Sequence, residues 1–101
     1  MDIKQLTEEM HRFVHSKGWY GAGSKRPQTP RNLAISLTLE AAEILEHFQW
    51  SDEIKYKEEL ESELADVALY LLQLASISEI DLEKAILAKL EINKSREWNQ
   101  E

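Results

Sequence analysis

One run, Leu64–Ile77, constrains this chain more than any other feature. Ten of its 14 residues are apolar: Leu64, Ala65, Val67, Ala68, Leu69, Leu71, Leu72, Leu74, Ala75 and Ile77. At about 100° per residue they cover nearly the whole circumference of a helix, and a helix apolar all round must be buried all round. A chain of 101 residues forms one domain, 1–101, with a modest core. Its other helices do not easily enclose one of their own members, so the run predicts burial against a second copy of the chain, a homo-oligomer.

The remaining pattern is helical as well. Gly18, Gly21, Gly23, Pro27 and Pro30 are the full complement of glycine and proline, so 18–30 is the one long irregular segment. Ile3, Leu6, Met10, Phe13 and Val14 form an apolar stripe for a first helix over about 2–17. Thr29 caps a second helix that starts with Pro30 and runs to about Gln49. Ser51-Asp52-Glu53 reads as the cap of a third helix ending near Ser78, and Asp81 as the cap of a fourth ending near Trp98. No stretch alternates with period two. The expected fold is all-α, a four-helix bundle-like protomer assembling into a helical homo-oligomer.

Within the apolar run, Asp66 is the one residue that carries charge at neutral pH. A buried, unpaired carboxylate takes up a proton or finds a cation. Glu63 stands one turn earlier on the same face, and Tyr70 extends the strip at i+4. The second helix repeats the arrangement, with Ser36, Glu40, Glu43, His47 and Trp50 between two apolar sides. Glu-x-x-Glu at 40–43 and Glu-x-x-Asp at 63–66 would meet if the two helices pack antiparallel. Four crowded carboxylates repel one another, and a hard divalent cation resolves the conflict; Mg²⁺, or Mn²⁺, suits an all-oxygen set in a chain without cysteine. A di-iron bundle would instead want two Glu-x-x-His pairs, and only Glu8–His11 fits. His11 and His15 lie off the apolar stripe and read as surface residues.

Charge narrows the partners. The net charge of −7 argues against nucleic-acid binding. No apolar run approaches the ~18 residues of a membrane span, residues 1–20 contain no signal-peptide core, and the absence of cysteine suits a reducing cytoplasm, the expected location. No Asp or Glu occurs between Met10 and Leu39, where Arg12, Lys17, Lys25, Arg26 and Arg31 all fall. That segregation is either a solvated pattern or a basic loop beside a cation-loaded acidic site, as a phosphorylated substrate would require. On the fourth helix Lys89, Asn93 and Arg96 share one face that continues the stripe of Leu82, Ala85 and Ile86. They read either as salt bridges to the acids or as ligands for phosphate and sugar oxygens.

Taken together, Thr-Pro-Arg-Asn-Leu (29–33), Glu40-Ala-Ala-Glu43, Phe48-Gln49-Trp50 and Glu63-Leu-Ala-Asp66 with Tyr70 resemble the all-α nucleoside triphosphate pyrophosphohydrolases of the MazG type, in particular the short single-domain forms related to dCTP pyrophosphatases. The resemblance implies that Glu40, Glu43, Glu63 and Asp66 hold Mg²⁺ and carry catalysis, with Glu43 a candidate to take a proton from water. It implies cleavage between the α- and β-phosphates of a nucleoside triphosphate, a pool-cleaning role, and a dimer or dimer of dimers. It places Trp50 and Tyr70 near the nucleotide, Lys89 and Asn93 at the triphosphate and sugar, Arg96 near the leaving pyrophosphate, and Trp19 against the base. Two departures touch base recognition: the segment Tyr20–Thr29 is longer than in the family's short members, and Met10 stands where some relatives have a histidine. The rival expectation is a non-catalytic helical module with structural acids, which Mg²⁺ would not stabilise.

Overall fold

Asp2 opens α1 (Ile3–Ser16) with a capping box: its carboxylate accepts from the Gln5 amide at 2.8 Å, and the Gln5 side chain accepts from the Asp2 amide at 2.9 Å. Thr29 caps α2 (Pro30–Glu46) through its hydroxyl, which accepts from the Asn32 amide at 3.1 Å, with Pro30 at the first helical position. α3 spans Lys57–Ile77 and α4 spans Leu82–Ser95, the latter capped by Asp81 at 3.1 Å from the Lys84 amide. The computed structural model describes residues 1–96, and among them there are four helices and no strand. The expected end of the fourth helix at Trp98 lies outside the described residues.

The start of α3 differs from the sequence expectation. Ser51 accepts from the Glu53 amide two residues on, at 3.3 Å, and so closes a local turn instead of capping a helix. The helix begins only at Lys57, with Glu58 and Glu59 in its first turn, where the helix dipole favours acids. At its other end the chain leaves through a Schellman closure, with Ile80 N–H donating to the Ala75 carbonyl at 2.9 Å and Glu79 N–H to Ser76 at 3.1 Å. The left-handed position is Glu79, at φ 58°, where glycine is the unstrained residue. Glu79→Gly is expected to raise the unfolding free energy by about 0.5–1 kcal/mol; a melting temperature equal to or below wild type contradicts that.

α2 and α3 are the main packed pair and run antiparallel: His47 meets Glu63 at one end, while Leu33 and Gln73 share a cavity at the other. α1 lies on α3, and α4 packs on α3 to a lesser extent. Among the described residues the fully buried apolar side chains are Met10, Val14, Leu33 and Ala75. Leu64 and Leu71 of α3, Leu39 and Leu45 of α2, and Leu87, Leu90 and Ile92 of α4 stay exposed in the single chain. The radius of gyration, 16.4 Å, exceeds the ~13 Å of a compact chain this long. The chain is therefore open, and parts of the apolar helix α3 remain exposed on it.

Candidate active site

Antiparallel packing brings the two acid pairs face to face. Glu40, Glu63 and Asp66 are half-buried and Glu43 is exposed. The Glu40 carboxyl titrates above its ordinary 4.5, first because burial penalises its charge and then because Glu43, Asp66 and Glu63 all press on it with like charge. Glu63 has a hydrogen-bonding neighbour: His47 Nε2 lies 2.6 Å from its Oε2, and the His47 side chain is 7% exposed. Among the described residues no three acidic or histidine side chains converge tightly enough to enclose one ion. The donor set nevertheless fits a hard divalent cation, because its atoms are all carboxylate oxygens, and the like-charge repulsion that helps push the Glu40 carboxyl up is what such a cation relieves.

Cavities flank the acids on both sides. The larger, of 580 Å³, lies between α1, the irregular segment, α2 and α3. Met10, Val14, Leu33 and Leu69 give it apolar walls, Asp66 and Ser36 open onto it, and Trp19, Tyr70, Lys25 and Arg26 also line it. The basic segment thus stands beside an acid of the cluster. The Arg26 guanidinium lies 4.6 Å from the Trp19 ring centre, and Phe13 meets that ring edge-on at 5.7 Å. The second cavity, of 430 Å³, is lined by Glu43 and Glu63 together with His47, Trp50, Lys55 and Tyr56. Trp50 is 90% exposed, a large aromatic surface at the edge of this cavity. Lys89, Asn93 and Arg96 are carried by or adjoin α4, and no residue of α4 lines either cavity.

The sequence reading missed a polar network at the inner end of the larger cavity. Gln73, 3% exposed, donates through Nε2 to Gln28 Oε1 at 2.8 Å and to the Tyr20 hydroxyl at 3.2 Å. Tyr20 Oη is 2.6 Å from His11 Nδ1, and His11 Nε2 is 2.7 Å from Ser76 Oγ. His11 is therefore not a surface residue but a half-buried link between α1, the irregular segment and α3; burial lowers its pKa and raises that of Tyr20. His15 is exposed, as expected. A neutral amide in an apolar run carries no charge signal. The available clue was periodic, since Gln73 follows Tyr70 by three on the strip that begins at Glu63.

Known proteins are similar to this chain in sequence and fold. The chain is 33% identical over 104 aligned residues to dCTP pyrophosphatase 1 of Homo sapiens and 32% identical to that of Rattus norvegicus, in each case over 94% of this chain and 56% of the relative. It thus spans a little over half the length of these curated relatives. A pyrophosphatase of Archaeoglobus fulgidus superposes with a TM-score of 0.77 at 36% identity, covering 91% of this chain and 88% of that one. Residues 28–97 match the MazG nucleotide pyrophosphohydrolase domain, a stretch that contains both acid pairs. The chain belongs to the MazG nucleotide pyrophosphohydrolase family.

Proposed function

We propose that this chain hydrolyses nucleoside triphosphates between the α- and β-phosphates, releasing the monophosphate and pyrophosphate, with Mg²⁺, or Mn²⁺, held by Glu40, Glu43, Glu63 and Asp66. The observation that carries this reading is the adjacency of the acid cluster to a 580 Å³ cavity with aromatic and cationic residues in its lining. The metal supplies charge neutralisation and a lowered pKa for water. The protein's residues do the rest. Glu43, the most exposed acid of the four, takes the water's proton. Lys25 and Arg26 offset charge on the phosphates. Trp19 stacks the base, Tyr70 borders the nucleotide from α3, and Trp50 shields the site from the second cavity.

Assembly belongs to the same reading. The exposed apolar residues of α3 and α4 are covered by other copies of the chain in a dimer or dimer of dimers. Lys89, Asn93 and Arg96, which line neither cavity of their own chain, then meet the triphosphate bound by a neighbouring copy. Sedimentation at micromolar protein tests this, and a folded monomer of 11.8 kDa refutes it.

A panel of ribo- and deoxynucleoside triphosphates with Mg²⁺ tests the activity, with dCTP, named in the mammalian relatives, among the first. Release of pyrophosphate with monophosphate is expected; orthophosphate released from the γ position overturns the cleavage site. Trp19→Ala is expected to raise KM roughly five- to hundredfold, the worth of one base–aromatic stack, with kcat and melting temperature close to wild type. A lowered melting temperature with unchanged KM would make Trp19 a packing residue of the loop.

A further inference from the structure

We propose that Gln73 determines base specificity: its side-chain carbonyl oxygen is held toward the larger cavity as an acceptor that selects bases with an exocyclic amino group, as in cytosine and adenine, over their oxo counterparts. The inference rests on the reading of that cavity as the nucleotide site.

The orientation of the amide follows from an anchor in the main chain. Gln28 Nε2 donates to the Arg26 carbonyl at 2.7 Å, and a carbonyl only accepts, so Gln28 must turn its own Oε1 toward Gln73. Gln73 therefore presents Nε2 there, and the same nitrogen also donates to Tyr20. Tyr20 Oη in turn shares a hydrogen with His11 Nδ1, and His11 Nε2 shares one with Ser76 Oγ, the directions set by the imidazole tautomer. Turning the Gln73 amide over would bring two acceptor oxygens together at the 2.8 Å separation from Gln28 and remove the donor to Tyr20. Both amide hydrogens are committed, and the hydrogen bonds of Gln73 among the described residues all run through Nε2, which leaves Oε1 as an acceptor on a residue that lines the cavity. An acceptor that opens onto the cavity without a protein donor is free to take a ligand N–H.

The spacing suits a nucleotide. Gln73 and Asp66 both line this cavity and are seven residues apart on α3, two helical turns or about 10.5 Å of rise. With the reacting phosphate near Asp66, the far edge of a base reaches the level of Gln73, past Tyr70. An amino group there donates to Oε1, whereas an oxo group in its place sets two acceptors against each other.

The test is kcat/KM of the full chain with Mg²⁺ on two pairs that differ by amino against oxo, dCTP with dUTP and dATP with dITP. The wild type is expected to favour the amino member by about tenfold or more in at least one pair. Gln73→Met, similar in length and apolar, should lower turnover of the amino substrate and bring the ratio close to one. Gln28→Met keeps Gln73 but frees its amide to turn, so the ratio should fall by a smaller factor; it decides the matter if Gln73→Met does not fold. A purely structural role would lower both members of a pair alike. Equal kcat/KM for both members in the wild type, or a ratio unchanged in the variants, overturns the inference while pyrophosphate release leaves the reading of the site standing. Failure to release pyrophosphate from any triphosphate overturns both.

Discussion

Asp66→Asn and Glu43→Gln are each expected to abolish turnover while leaving the helical fold in place. The two acids bracket the cluster, Asp66 opening onto the larger cavity and Glu43 onto the smaller. Each substitution keeps the side-chain shape and removes one negative charge from a set whose repulsion is already felt at Glu40. The metal-free variants should therefore be at least as stable as wild type, which separates loss of a ligand from loss of the fold. A variant that keeps more than about a tenth of wild-type kcat, a loss under ~1.4 kcal/mol, does not lack a direct ligand. Glu46→Gln and Glu59→Gln are the controls. Both line the second cavity but stand outside the two acid pairs, so they should leave kcat within about twofold, under ~0.5 kcal/mol. Equal losses in all four variants would make the general negative field, not ligation, the active quantity.

Mg²⁺ at about a hundred times its dissociation constant should stabilise the fold by about 2.7 kcal/mol, a rise in Tm of about 10 °C or more for a chain this short. The gain depends on pH through Glu40. Its folded-state pKa is raised, so its contribution to stability is fully present below its ordinary 4.5 and is lost as pH rises through the folded value. Metal-free wild type should therefore weaken across that window relative to Glu40→Gln, which stays neutral throughout. The variant's advantage should be largest at neutral pH and close as pH falls toward 4.5. Over the same window the carboxylate becomes available to the cation, so Mg²⁺ stabilisation should grow with pH in wild type and be much reduced in the variant. Identical pH profiles for the two proteins would remove Glu40 from the cluster.

Local spacing made much of this protein legible before any coordinates. Asp81 and Thr29 announce helix starts because a cap is a hydrogen bond over three residues. Glu40 with Glu43, and Glu63 with Asp66, are paired by the helical period alone, and the apolar flanks of each strip dictate that the strips face each other. Ser51 shows the limit of local reasoning: the same hydroxyl can cap a helix or close a two-residue turn, and here it closes the turn, so α3 begins at Lys57. Contacts between distant residues were out of reach. His47 finds Glu63 across 16 positions and His11 finds Ser76 across 65, and no period in the chain encodes either. The direction of the Gln73 amide needs four residues from three parts of the chain, because a neutral side chain has no preferred orientation until its partners decide which atom donates. The sequence by itself determined the four helices, the caps at Thr29 and Asp81 and the pairing of the acids, all properties of residues within one or two turns of each other. Only the tertiary structure decided which cavity adjoins those acids and which polar atom is left facing it, because both depend on where separate helices come to rest.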